Sequence, residues 1–152
     1  MLRSGQRVYI DTSVWCAYSF NEAEAPGAQL WLAQSSLDQA AASIWTRTEF
    51  ASAAAMKLRA KGIGKSSGQS KAAVAQAARA FEAAFAMTHC LDVIYDDFIH
   101  AAELCRTDDF GLRAGDALHI AVALRHDCKM LASLDKAMNA SAQQLGLKLV
   151  KF

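Results

Sequence analysis

Short apolar runs alternate along the chain with longer stretches of helical periodicity. Arg7-Val8-Tyr9-Ile10 reads as a strand, stopped by Asp11-Thr12-Ser13. Val14, Trp15 and Tyr18 then recur at helical spacing, residues 22–27 interrupt the pattern, and residues 28–35 resume it. Residues 39–42 are expected as a second strand, although alanine stands where β-branched residues are usual. From Ser43, placed to cap it, a long helix carrying Ile44, Phe50 and Met56 is expected. Glycines, lysines and serines make residues 61–68 a loop, and an alanine-rich helix follows over about 69–88. Residues 91–94 are predicted as strand, Asp96 or Asp97 opens a helix through Cys105, 111–115 turn, and 116–126 are helical. Residues 129–132 form a strand, 134–145 a helix stopped by Gly146, and 147–150 a last strand. Strands separated by helices predict an α/β layer structure around a mainly parallel sheet.

The length of 152 residues fits one domain over 1–152, with a core large enough to need no disulfide staples. A hydrophobic fraction of 53% against 20% charged excludes intrinsic disorder. Lys and Arg number 16 and Asp and Glu 15, so no basic coat exists for nonspecific nucleic-acid binding. Cys16, Cys90, Cys105 and Cys128 are scattered without a C-x-x-C pair, which reads as small hydrophobes rather than a disulfide framework. No apolar run approaches the ~18 residues that cross a bilayer, and the opening residues lack the apolar centre of a signal peptide. The expectation is a soluble, cytoplasmic protein without a membrane segment.

Ligand sites of open parallel sheets lie beyond the carboxyl ends of the strands. Asp11 directly follows the first strand, and Asp135 follows the strand at 129–132. Asp116 opens a helix, and Glu49 lies one to two turns into the helix after the second strand. The fold can bring these four acids to one sheet edge. Like charges so crowded raise one another's pKa unless a cation neutralises them. Oxygen ligands without a cysteine or histidine pair suit Mg²⁺ or Mn²⁺ better than zinc, and such ions support phosphodiester hydrolysis. Each acid also has a structural reading. Asp11 can cap a helix, Asp116 and Asp135 can serve as first-turn acids, and Glu49 can be a helix surface residue. Composition and periodicity leave the two readings open.

Four motifs in order bear on the choice. Val8-Tyr9-Ile10-Asp11-Thr12-Ser13-Val14 resembles the opening strand of PIN-domain ribonucleases, and Thr46-Arg47-Thr48-Glu49-Phe50-Ala51-Ser52-Ala53 their second motif. Arg113-Ala114-Gly115-Asp116-Ala117-Leu118-His119-Ile120-Ala121 is similar to the third, and Ser133-Leu134-Asp135 to the fourth, with serine in place of the more common threonine. The small bacterial form of the family is similar to VapC toxins of type II toxin–antitoxin pairs. The resemblance implies a PIN-like three-layer α/β/α fold with four to five strands. It implies a Mg²⁺- or Mn²⁺-dependent endoribonuclease acting on RNA and held inactive by a cognate antitoxin. It also implies Asp11, Glu49 and Asp116 as metal-binding acids with Asp135 completing the cluster. Thr12, Ser13 and Ser133 would position substrate near the metal or scissile phosphate. A non-catalytic PIN-like module binding RNA or protein is the alternative. A haloacid dehalogenase phosphatase is excluded because Asp11-Thr12-Ser13 lacks the second Asp of D-x-D.

Lys57, Arg59, Lys61, Lys65 and Lys71 have no acid between them, and either steer an RNA backbone or form a solvated helix end and loop. Residues 61–66 lack the spacing of a phosphate-binding loop. His119 lies one turn from Asp116 and is read as packed or solvent-facing, while His89-Cys90 and His126-x-Cys128 are too few for a zinc site. Trp15, Trp31, Trp45 and Phe50 read as core or interface residues rather than base-stacking platforms. Mean hydropathy of +0.09, with alanine-rich helices around 50–60 and 72–86, points to surface covered by a homodimer partner, an antitoxin helix, or both.

Overall fold

The computed structural model describes residues 7–60, 70–107 and 109–152. The loop read at 61–68, with Lys61 and Lys65, and the start of the next helix at Gln69 lie outside them. Strands and helices alternate in the order β1 (Val8–Ile10), α1 (Thr12–Ser19), α2 (Pro26–Gln34), β2 (Ala40–Ser43), α3 (Ile44–Arg59) and α4 (Lys71–Phe85). There follow β3 (His89–Leu91), α5 (Tyr95–Thr107), α6 (Ala114–Arg125), β4 (Met130–Ala132), α7 (Lys136–Gln144) and β5 (Lys148–Leu149). The strands form one five-stranded parallel sheet in the order β3-β2-β1-β4-β5.

Period-2 alternation divides the core between the sheet faces. Val8, Ile10, Ala40, Ala42 and Ala132 pack with Val14, Trp15, Phe50, Phe81 and Phe85 from α1, α3 and α4. Tyr9, Ala41 and Leu131 point the other way, against Leu104, Leu118, Ile120, Val122 and Met138 from α5, α6 and α7. Helices on both faces give the three-layer α/β/α arrangement. Among the described residues, no helix is long and apolar enough to cross a membrane.

Several boundaries differ from the sequence expectation, each for a local reason. Pro26 is the first residue of α2, where its fixed φ and missing N–H are tolerated, so the helix starts before Ala28. A 3₁₀ turn over Leu37–Gln39 takes Gln39, and the Ala-Ala-Ala-Ser strand is held by its neighbours on both sides rather than by propensity. The third strand ends at Leu91 because Asp97 accepts the Ile94 N–H at 2.8 Å and starts α5 at Tyr95. Ser43 precedes α3 but makes no side-chain cap; its hydroxyl is paired with Tyr9 instead.

Trp15 and Phe50 are core residues, with Phe50 stacked on Phe81 at 4.0 Å between ring centroids. Trp31 meets Phe152 edge-on. Alanine-rich α4 turns Val74, Ala77, Phe81 and Phe85 inward. Among the described residues the most exposed large apolar side chain is Tyr95, which lies with Phe98 and Ile99 on α5.

Candidate active site

The sheet order places the topological switch point between β1 and β4, which pair in parallel although the chain first builds outward through β2 and β3. The carboxyl ends of these two strands are the usual ligand position in such sheets. Asp11 ends β1 and is buried, with its backbone N–H bonded to the Ala132 carbonyl at the end of β4. Asp11 caps α1 by accepting from the Ser13 N–H at 3.3 Å, as the structural reading expected. Ser13 Oγ donates to the same carboxylate oxygen, Oδ2, at 2.5 Å and Ser133 Oγ at 2.9 Å. Ser133 Oγ also accepts the Asp135 N–H, and Ser13 Oγ accepts the Leu134 N–H. These bonds tie the end of β1 to the turn after β4.

The four acids take different positions. Glu49, on the second turn of α3, brings its Oε2 to the Thr12 hydroxyl, which donates at 2.6 Å, and to His119 Nε2 at 2.5 Å. His119 Nε2 stands 3.7 Å from Asp11 Oδ1. One ligand atom from each of Asp11, Glu49 and His119 falls within 4.8 Å of the others. Asp116 and Asp135 are not members of that triad, yet both bear on it electrostatically. Burial, followed by the charges of Asp135 and Asp11, pushes the Asp116 carboxyl up to about 6. Asp135 accepts the Met138 N–H at 2.8 Å and caps α7, again as the structural reading expected. Capping and membership of an acidic edge thus coexist at Asp11 and Asp135.

His119 is where the site exceeds the sequence reading. It is packed, with no exposed surface, and it is packed into the acids rather than away from them. Burial disfavours its charged form, but the Glu49 hydrogen bond and the charges of Asp11, Glu49 and Asp116 outweigh that and raise its pKa. Burial pushes Glu49 up, while the His119 and Thr12 bonds pull it down further, for a net lowering. The available signal was a lone polar residue in the run Leu118-His119-Ile120-Ala121, one turn from Asp116. Gly115 was the other omission. A Cβ there would stand 2.5 Å from Glu49 Oε1, so any larger residue at this position would displace the Glu49 carboxylate. A glycine inside a helix, where it costs about 1 kcal/mol against alanine, signals such a close approach.

The donor set fits a divalent cation. Four carboxylates gather at one edge, and among the described residues no Lys or Arg forms an ion pair with any of them. Oxygen-rich sets of this kind suit hard divalent ions. The basic stretch does not supply the missing charge through Lys57, which pairs with Glu22 at 2.7 Å and lies over the Phe20 ring. Arg59 and Lys71 are exposed.

Comparison with known proteins bears on the fold and the family. The structure is similar to VapC20 of Mycobacterium tuberculosis, described as a sarcin-ricin loop cleaving toxin, with 22% identity and a TM-score of 0.63 over 88% of this chain and 94% of that one. It is also similar to FitAcB from Neisseria gonorrhoeae, with 15% identity and a TM-score of 0.68 over 95% and 96% of the two chains. Similarity extends to FitAB bound to an IR36 DNA fragment, with 16% identity and a TM-score of 0.66 over 94% and 93%. At these identities the likeness is one of fold. No curated protein sequence matches the chain. The family model described as PIN domain matches residues 8–150, from the first residue of β1 to the one after β5, and the chain belongs to the PIN domain family.

Proposed function

We propose that this protein is a Mg²⁺- or Mn²⁺-dependent endoribonuclease, the cytoplasmic toxin of a type II toxin–antitoxin pair, inhibited by its cognate antitoxin. The observation that carries the reading is the set of four acids at the switch point of the sheet with no Lys or Arg among the described residues paired to them, in a chain of the PIN family. Similarity in fold to a toxin that cleaves the sarcin-ricin loop supports RNA as the substrate class.

Asp11, Glu49, Asp116 and Asp135 would hold the ion. When bound, such an ion supplies a lowered pKa for water, its orientation, and stabilisation of charge developing on a phosphodiester. The protein's own work is to hold the acids. Ser13 and Ser133 anchor Asp11 Oδ2 and leave Oδ1 facing the cluster. Thr12 anchors Glu49. These hydroxyls, expected to position substrate, are engaged by the acids, and their influence on substrate passes through them. The exposed Tyr95, Phe98 and Ile99 on α5 support a protein partner, either the antitoxin or a second copy in a homodimer.

One observation favours the second reading, a non-catalytic PIN-like module that binds RNA or protein. His119 satisfies Glu49 without any metal. The deciding experiment is cleavage of RNA by purified, antitoxin-free protein with Mg²⁺ or Mn²⁺, with EDTA, and with Asp11→Asn. The nuclease reading expects metal-dependent cleavage, reduced on the order of 100-fold or more in the variant. Failure to cleave several RNAs, together with failure to bind either ion, would overturn the nuclease reading in favour of the binding module.

A further inference from the structure

His119 lies one turn beyond Asp116 on α6, and its two ring nitrogens face different partners. Nε2 is 2.5 Å from Glu49 Oε2, and Nδ1 is 2.7 Å from the Tyr9 hydroxyl. Tyr9, on β1, is fully buried; its hydroxyl is 2.8 Å from Ser43 Oγ, and its ring meets that of His119 edge-on at 5.5 Å between centroids. A phenolic hydroxyl both donates and accepts, so it pairs with Nδ1 whether or not that atom carries a hydrogen. An ionised carboxylate only accepts. A bare Nε2 lone pair at 2.5 Å from Glu49 would be repulsive, so Nε2 carries a hydrogen and donates it. The Thr12 hydroxyl donates to the same oxygen at 2.6 Å. Two donors thus fix Glu49 Oε2, and the absence of a side chain at Gly115 leaves room for Oε1.

We propose that Tyr9 and His119 form a buried strut, running from β1 through α6, that positions the Glu49 carboxylate to receive a divalent ion. His119 is a positioning residue in this arrangement and not a ligand. The proposal rests on the nuclease reading for the ion itself. Hydrogen-bonded partners behind a ligating group fix its orientation, and losing one typically costs roughly 10- to 100-fold in metal affinity.

The first test needs no variant. Ring nitrogen–proton correlation NMR of ¹⁵N-labelled, metal-free protein should show the His119 Nε2 protonated, and a bare Nε2 overturns the strut. Tyr9→Phe keeps the ring and removes the hydroxyl. It should weaken Mn²⁺ binding in calorimetry by about tenfold while cleavage recovers at saturating Mn²⁺. A folded Tyr9→Phe protein with unchanged Mn²⁺ affinity overturns the proposal. His119→Gln retains an N–H donor on a side chain of similar reach, and should bind Mn²⁺ more tightly than His119→Leu. Imidazole nitrogen coupling in electron spin-echo spectra of the Mn²⁺-loaded protein would make His119 a ligand, and so overturns the positioning role. If the wild-type protein binds no Mn²⁺, the nuclease reading fails and the strut loses its purpose. The NMR result on metal-free protein separates that failure from failure of the strut itself.

Discussion

Asp97 and Asp116 stand on neighbouring helices; burial raises the pKa of both, and their partners send the net shifts in opposite directions. Asp97, on α5, has 2% of its surface exposed and is the more buried of the two. It faces Arg125, whose Nε and Nη2 donate to its two oxygens at 2.7 and 2.9 Å, and it accepts the Ile94 N–H. Burial raises its pKa, but these partners more than offset that and lower it. Asp116, in the first turn of α6, pairs with no Lys or Arg among the described residues and is pushed up to about 6 by burial and its acidic neighbours. Arg125 occupies the last turn of the same helix. A buried acid by itself therefore says little about function. A partly buried acid pushed up by acidic neighbours, rather than paired with a cation, is a candidate for a functional role.

The largest expected effect on stability comes from breaking the satisfied pair. Arg125→Met leaves Asp97 buried with a single backbone donor, and should cost about 3 kcal/mol in urea denaturation. Metal binding should be unchanged. A loss below ~1 kcal/mol would mean that the pair is only a surface contact.

Asp116 should respond with the opposite sign. A carboxyl whose folded pKa lies above its unfolded value loses stability as pH rises from the unfolded pKa through the folded one. For Asp116 that window runs from its ordinary value of 3.8 to about 6. Asp116→Asn should therefore stabilise the metal-free protein at pH 7.5 by about 1–2 kcal/mol, a figure discounted for solvent screening because the group is only partly buried. At pH 3.5 the gain should vanish. An equal gain at both pH values would show that charge is not the cause. Asp97 sharpens the contrast, because its lowered pKa contributes stability present above its unfolded value and lost as pH falls through the folded one.

Gly115→Ala should have the smallest effect on stability. Helix propensity favours alanine by up to ~1 kcal/mol, and the crowding against Glu49 Oε1 offsets part of that gain. Under the nuclease reading, displacement of Glu49 should still lower cleavage by roughly tenfold or more, since a shift on the order of 1 Å at a reacting centre is costly. Unchanged cleavage would mean that Glu49 tolerates displacement and that the close helix approach serves packing alone.

How much of this was legible in the chain varies with the range of the forces involved. Strand-then-acid at Asp11 is local, because a carboxylate that ends a strand and caps the next helix satisfies backbone donors only two residues away. The same holds for Asp135 and α7. The third strand was misplaced because its end is decided by the pull of Asp97 on Ile94, which competes with the β-propensity of Val93 and Ile94. His119 was read as a packed residue, and it is one. Periodicity cannot tell what a buried imidazole faces, because its partners Glu49 and Tyr9 lie 70 and 110 residues away in the chain.

By itself the sequence determined the alternation of strands and helices and the position of acids beyond strand ends, but not the inward face of α3, where Phe50 is buried while Ile44 and Met56 are exposed. Those features follow from side-chain periodicity and capping, which act over a few residues. The tertiary structure alone decided that Asp11 and Glu49 converge on His119, and that Asp116 and Asp135 stand beside that triad rather than within it. It also decided that Gly115 makes room for Glu49. These outcomes depend on the strand order β3-β2-β1-β4-β5, which brings distant segments to one edge, where charge and hydrogen-bond geometry act across space rather than along the chain.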